Sequence, residues 1–218
     1  MKNTPFVIVL LALVFVLGTG LEPSVATEPV RTLPEVLSAL QQQAARTRSL
    51  QGRFVQEKIL AMFDQTLRSE GALYYQAPDR LRWELLQPVA SGFVVEGDRG
   101  VRWNSVSGEK EAFSTPDDPV MSEVAGQLLA WTRMDMDWLE QRYRLELVKS
   151  SPVTLYLYPR DTAEADFLAG IKVVFAPQLD YVAEVVMEEQ QGDRTRLQFV
   201  EIIRNQPLVD GTFRPPVF

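Results

Sequence analysis

The chain has 218 residues, a net charge of −7 and neither His nor Cys. An acidic chain without a basic stripe is a poor ligand for nucleic acid, whose affinity comes chiefly from neutralising phosphates, and anionic lipid head groups exert no pull on it either. Without His or Cys there is no Ser-His or Cys-His couple, no disulfide framework and none of the usual zinc, copper or iron ligand sets, so neither metal nor cofactor is expected.

Met1-Lys2-Asn3 is a short basic start, followed by an apolar run over residues 6–17. That run is short for a spanning helix and has the length of a signal-peptide core, so an uncleaved anchor is the weaker reading. Ser24-Val25-Ala26 offers small residues at both recognition positions and predicts cleavage after Ala26, with Gly18-Thr19-Gly20 as the alternative. The expected organisation is a signal peptide over 1–26, a linker over 27–31 and one domain over 32–218, exported as a monomer. No Cys follows the apolar run, so the chain is not expected to be a lipoprotein itself.

Thr32-Leu33-Pro34-Glu35 reads as a capping box with Pro in the first helical turn. Leu33, Val36, Leu37, Leu40 and Ala44 then recur at helical spacing, predicting an amphipathic helix to about Arg48. From Leu50 the period becomes two, and strands are predicted over 51–62, 65–76, 81–87, 93–96 and 101–105. In the third, Leu81, Trp83 and Leu85 share one face and Arg80, Arg82 and Glu84 the other, the mark of a sheet with one apolar side. Pro116 breaks the sheet, and Asp118 can cap a helix opening at Pro119. On that helix Met121, Val124, Leu128 and Trp131 fall on one face. A short turn over 136–143 follows, then strands over 143–148, 154–158, 170–175, 181–187 and 194–203, with a loop or single helical turn over 161–166.

The order helix, strands, helix, strands excludes a parallel α/β fold. The fold class expected is α+β, mostly antiparallel β: an open sheet of about ten strands that curls into an unclosed half-barrel, with helices as a lid over a hydrophobic cavity. The candidate residues lining that cavity are Leu81, Trp83, Leu85, Phe93, Trp103, Met121, Val124, Leu128, Trp131 and Met134. Each alone is more often ordinary core; the case for a cavity is architectural, since a wrapped sheet of this size encloses more volume than its own side chains usually fill. Catalysis is not expected. The adjacent acids Asp117 and Asp118 and the pair Asp135 and Asp137 could in principle act as acid and base, but capping and solvated loops explain them more simply. Gly97-Asp98-Arg99-Gly100 is a hairpin turn without the length or following helix of a phosphate loop.

One set of motifs resembles a known family. Phe54-Val55-Gln56 precedes Gly71, Leu73-Tyr74-Tyr75, Pro78, Leu81-Arg82-Trp83 and Pro88, then Asp98, Gly100 and Trp103, and late in the chain Phe213, Pro215 and Pro216. This pattern resembles the periplasmic outer-membrane lipoprotein carriers of the LolA family over residues 33–218. The resemblance implies an unclosed antiparallel barrel lidded by helices over an apolar cavity. It implies as partners an acylated lipoprotein or lipid cargo, an inner-membrane exporter that supplies it and an outer-membrane receptor that takes it. Two departures stand out. The family's Arg before the turn Pro is here Ala77, leaving Arg80 or Arg82 as replacement cations, and many members run on with another strand beyond the terminal Pro-Pro, whereas the sequence here stops at Phe218. A lipid-sensing or protein-binding adaptor of the same fold, or a carrier serving aryl polyene or glycolipid export, is the alternative.

Overall fold

The computed structural model describes residues 31–63 and 65–217. The predicted signal peptide over 1–26, and all but the last residue of the predicted linker, lie outside the described residues.

Glu35 accepts from both the backbone N–H (2.7 Å) and the hydroxyl (2.9 Å) of Thr32, which starts α1, Leu33–Ala44. The backbone bond first, then the hydroxyl, holds the Glu35 carboxyl below its usual range. The chain then lays down β1 (Ser49–Leu60), β2 (Gln65–Gln76), β3 (Arg80–Gln87), β4 (Ser91–Glu96), β5 (Arg99–Asn104) and β6 (Glu109–Ser114) as a meander. Helices α2 (Pro119–Arg133) and α3 (Met136–Arg142) follow. A second meander comprises β7 (Tyr143–Ser150), β8 (Val153–Pro159), the single turn α4 (Thr162–Ala165), β9 (Leu168–Phe175), β10 (Val182–Glu189) and β11 (Arg194–Arg204).

All eleven strands form one antiparallel sheet in the order β6-β5-β4-β3-β2-β1-β11-β10-β9-β8-β7. The seam is β1 against β11, which pairs Phe54 with Phe199. Edges β6 and β7 do not pair, so the barrel stays open, and α2 and α3 connect one edge to the other in the chain. This is the half-barrel the alternation predicts. Strand β6 is not among the predicted strands. Its Glu109-Lys110-Glu111 run reads as polar loop, yet charge on an edge strand is how sheets avoid pairing with foreign strands. The first helix ends at Ala44, short of Arg48, because the Arg46 and Thr47 amides turn back onto Gln43 and Ala44.

Register fixes which residues face inward. Directly paired residues share a face, so Leu81, Trp83 and Leu85 look inward together with Tyr75, Leu73 and Gly71 of β2 and with Val95, Phe93 and Ser91 of β4. Gly71 is a point of close approach. A Cβ there would fall on the Phe54 ring and the Glu84 carbonyl, and Phe54 itself stacks on Trp83 at 3.9 Å between ring centroids. Gly71→Ala should therefore displace that stack and lower unfolding free energy by about 1–3 kcal/mol, the usual cost of overpacking, as read by urea titration. An unchanged midpoint would mean that the ring moves freely.

Candidate functional site: an apolar cleft under helix α2

The concave face is filled in two regions. Behind Trp131, the side chains of Met134, Met136, Leu139, Leu155, Leu157, Val173 and Phe175 pack almost solidly, each at most 4 % exposed. In front of Trp131 a cleft remains, walled by Leu128, Trp131 and Thr132 of α2, Leu50 of β1, Leu73 of β2 and Trp83 of β3. Tyr181, Val182, Phe199 and Ile202 complete it from the second meander. Its total free space is about 340 Å³ including the open mouth, but only about 20 Å³ accommodates the centre of a water-sized sphere, room for about one water. The cavity is thus a narrowed cleft rather than a wide chamber.

The walls are almost wholly apolar. The Thr132 hydroxyl is occupied, donating to the Leu128 carbonyl at 2.7 Å. Trp131 Nε1 is buried and lacks an acceptor among the described residues. Such a donor is costly to bury without a partner and marks a place where something else should supply an oxygen. Trp83 and Phe199 form the floor, with the Phe199 ring edge-on to Trp83 at 6.2 Å and Phe54 stacked on Trp83.

Of the ten residues singled out in the sequence, Trp83, Leu128 and Trp131 line this cleft. Leu85 lies on the same face, half-buried. Leu81, Phe93, Met121 and Met134 are in solid core instead. Phe93 meets Phe113 edge-on at 6.4 Å. Two placements differ from expectation. Trp103 pairs with Gly92, which pairs with Glu84, so it stands on the outer face with the Arg82 guanidinium 5.1 Å from its ring centre. Val124 sits at the edge of the apolar stripe of α2 and is 39 % exposed.

The candidate replacement cations, Arg80 and Arg82, both lie on the outer face. Arg82 donates to the carbonyls of Thr212 (3.0 Å) and Arg214 (2.7 Å) and pairs with Glu84 at 2.6 Å, holding down the C-terminal tail. Arg80 pairs with Glu96 at 3.1 Å and covers the Phe213 ring. The cation that does reach the turn after β2 comes from α2: Arg133 Nη1 donates to the Pro78 carbonyl at 3.4 Å while Nη2 pairs with Asp135 at 3.2 Å. That bond is long; α2 is also held by its buried Met121, Ala125, Ala130 and Trp131, by Asp118, which accepts from Met121 N–H and pairs with Arg102, and by the Glu123–Arg142 ion pair. In α1, Val36 and Leu40 are fully buried, and Arg204 ties its end to Asp180 at 2.9 Å and to the Thr47 hydroxyl at 2.6 Å.

The acids considered for catalysis serve as caps. Asp118 opens α2 and Asp135 opens α3 by accepting from Trp138 N–H at 3.1 Å, while Asp137 accepts from Gln41. Among the described residues no group of three or more His, Cys, Asp or Glu could hold a metal ion, and no helix is long and apolar enough to cross a membrane.

A curled, unclosed antiparallel sheet with an apolar cleft under a helix is a lipid- or lipoprotein-carrier fold. The family model described as outer membrane lipoprotein carrier protein LolA matches residues 45–216, and the chain belongs to that family. Among solved structures, the Pseudomonas aeruginosa MucA/MucB complex matches with TM-score 0.52 and 16 % identity over 83 % of this chain and 60 % of that one. MucB in complex with MucA(peri) matches with TM-score 0.51 and 16 % identity over 85 % and 60 %. An uncharacterized conserved protein from Thermus thermophilus matches with TM-score 0.53 and 12 % identity over 86 % and 95 %. At these identities the likeness is one of fold, and this chain spans about 60 % of the MucB chains it matches. Curated proteins give no significant match by sequence.

Tyr143 links α2 to α4, accepting from Gln127 of α2 and donating to Glu164 of α4 at 2.8 Å. Burial first, then that bond to Glu164, pushes its hydroxyl well above the ordinary value of 10.0. A phenol raised in the folded state contributes stability that is whole below pH 10 and declines as pH climbs past it. Tyr143→Phe should cost about 1.5–3 kcal/mol at pH 7, the worth of a hydrogen bond to a charged group, and should flatten the alkaline decline. Part of that decline will persist, because burial and Glu188 push Tyr156 up to about 12.

Proposed function

We propose that this chain is a periplasmic carrier that shields the acyl chains of lipoproteins or lipids during transfer from the inner to the outer membrane, without catalysing a reaction. It would take its cargo from an inner-membrane exporter and give it to an outer-membrane receptor. The observation that carries the proposal is the apolar cleft under α2 with the unpartnered Trp131 N–H in its wall. The need is energetic: a sixteen-carbon chain loses on the order of 12 kcal/mol by exposure to water, at ~0.8 kcal/mol per CH₂. An ester or amide carbonyl at the head of such a chain would give the indole N–H its acceptor. Since the cleft has room for about one water, loading requires α2 to swing outward, and the weak Arg133–Pro78 contact is where its end would release. Cargo that binds the open form shifts the population toward it.

The near-filled interior also favours a second reading, a protein-binding or lipid-sensing adaptor of the same fold. MucB, crystallised with MucA(peri), supplies a precedent for a protein partner on this architecture. Mass spectrometry of lipid extracted from the purified protein separates the two: co-purified acyl lipid supports the carrier, and its absence together with failure to take up a fluorescent fatty acid supports the adaptor.

Leu128 is the cleaner probe of the cleft, being only half-buried. Leu128→Glu should weaken fatty-acid binding on the order of tenfold or more by placing a charge in an apolar wall, while moving Tm by less than about 3 °C. Trp131→Asp should lower both together, since Trp131 is 4 % exposed and packs into the core. Arg133→Ala should speed acyl uptake several-fold in stopped-flow fluorescence; an unchanged rate would mean that α2 is not released at that end.

A further inference from the structure

We propose that the projecting end of the β1–β2 hairpin, together with Phe167, docks onto a phospholipid bilayer with zwitterionic head groups; this rests on the carrier reading, which requires a bilayer where cargo is collected or delivered. The hairpin ends in a short 3₁₀ turn, Ala61–Phe63. Met62 is 84 % exposed, Phe63 70 %, Leu67 47 % and Phe167 73 %, which is unusual for apolar side chains of this size at one end of a sheet.

Geometry makes this end a wedge. β3 joins β2 only from Glu70 onward, so residues 65–69 of β2 pair with β1 alone and the hairpin stands clear of the sheet on that side. It is nevertheless pinned on the other. Ala61 N–H donates to Asp193 Oδ1 at 2.9 Å, and in the same β10–β11 turn Gln190 N–H donates to the Phe167 carbonyl at 2.8 Å. The two apolar groups are therefore held on one turn. A convex, pinned apolar tip offers a partner protein no groove to fill, but it enters the head-group region of a bilayer readily.

Behind the tip lies a collar of exposed ion pairs: Lys58–Glu189 (3.7 Å), Arg68–Glu70 (3.2 Å) and Arg194–Glu188 (3.7 Å). Both signs face solvent, which complements head groups that carry a phosphate and an ammonium together. A chain of net charge −7 is not drawn to anionic lipid. The tip shares the concave face with the cleft: Leu67 lies on the same face of β2 as Gly71 and Leu73, separated from them by Ser69 with Gln56 opposite, and the half-exposed Leu85 lies opposite Gly71.

The absence of Cys allows one cysteine to be added at a time. An environment-sensitive fluorophore on Phe63→Cys should shift to the blue when phosphatidylcholine vesicles are added, and the same label on Val209→Cys, in the C-terminal tail, should not. Met62→Ser/Phe63→Ser should reduce vesicle co-flotation on the order of 100-fold, the worth of two apolar side chains, and leave fatty-acid binding in vesicle-free solution unchanged. A label at residue 63 that stays in water beside vesicles would overturn the proposal, as would flotation undiminished in the double variant. So would a concentration-dependent dimer that the double variant abolishes in the absence of vesicle binding, which would assign the tip to a second copy. If the residue 63 label shifts but no acyl probe binds, the membrane surface stands and the carrier reading falls.

Discussion

An antiparallel sheet that curls without closing must cover its concave face with something other than strands. Here β6 and β7 remain unpaired, and the face between them carries Phe54, Trp83, Phe199, Leu155, Ile171 and Val185. At ~25 cal/mol per Å² of apolar surface, leaving such a face wet would cost more than the net stability of an ordinary domain. The three longer helices exist to prevent that. Their sequences reflect it: the buried stripe of α1 is Val36 and Leu40, and that of α2 is Met121, Ala125, Ala130 and Trp131.

The helices do not cover the face equally well. α1 is tied by buried side chains, by Arg204, and by Asn205, whose amide bridges the backbone of Arg46 and Arg48. α2 buries Met121, Ala125, Ala130 and Trp131 along its length and is held at its ends by caps and partly exposed ion pairs, and the cleft lies under its second half. Local opening is cheapest where few buried contacts and many exposed bonds hold an element. The half of α2 over the cleft carries Leu128, Trp131 and Thr132 and ends in the long Arg133–Pro78 contact.

Much of the architecture was legible in the chain because alternation is a local property: β2 follows directly from the spacing of residues 65–76, and α2 from Asp118-Pro119 and the stripe that follows. The face of a residue in a short strand is not local. In β5, Arg99-Gly100-Val101-Arg102-Trp103-Asn104 alternates without declaring which side is in, and the answer comes from β4, where Gly92 lies beside Trp103. The inward charge this creates, Arg102, is met by Asp118 at the cap of α2. The cleft was less legible still. Phe199, Ile202 and Tyr181 belong to the second meander and reach Leu50 and Trp83 only through the β1–β11 seam. A bulge sharpens the point: the register shift opposite Gly52, with Glu201 at φ 54°, turns Ile202 inward over Gly52 and leaves Ile203 outside. Strict period-two reading would have done the reverse.

The seam has one more implication. Ser49 and Gln206 meet although they lie 157 positions apart, and β11 sits at the centre of the sheet beside β1. Each meander can begin to form by itself, but neither can bury its concave face until the other arrives, and such non-local pairing is slow. A polypeptide built this way cannot complete its concave face until β11 is available to pair with β1, so its two halves stay open longer than those of a fold built from local pairings.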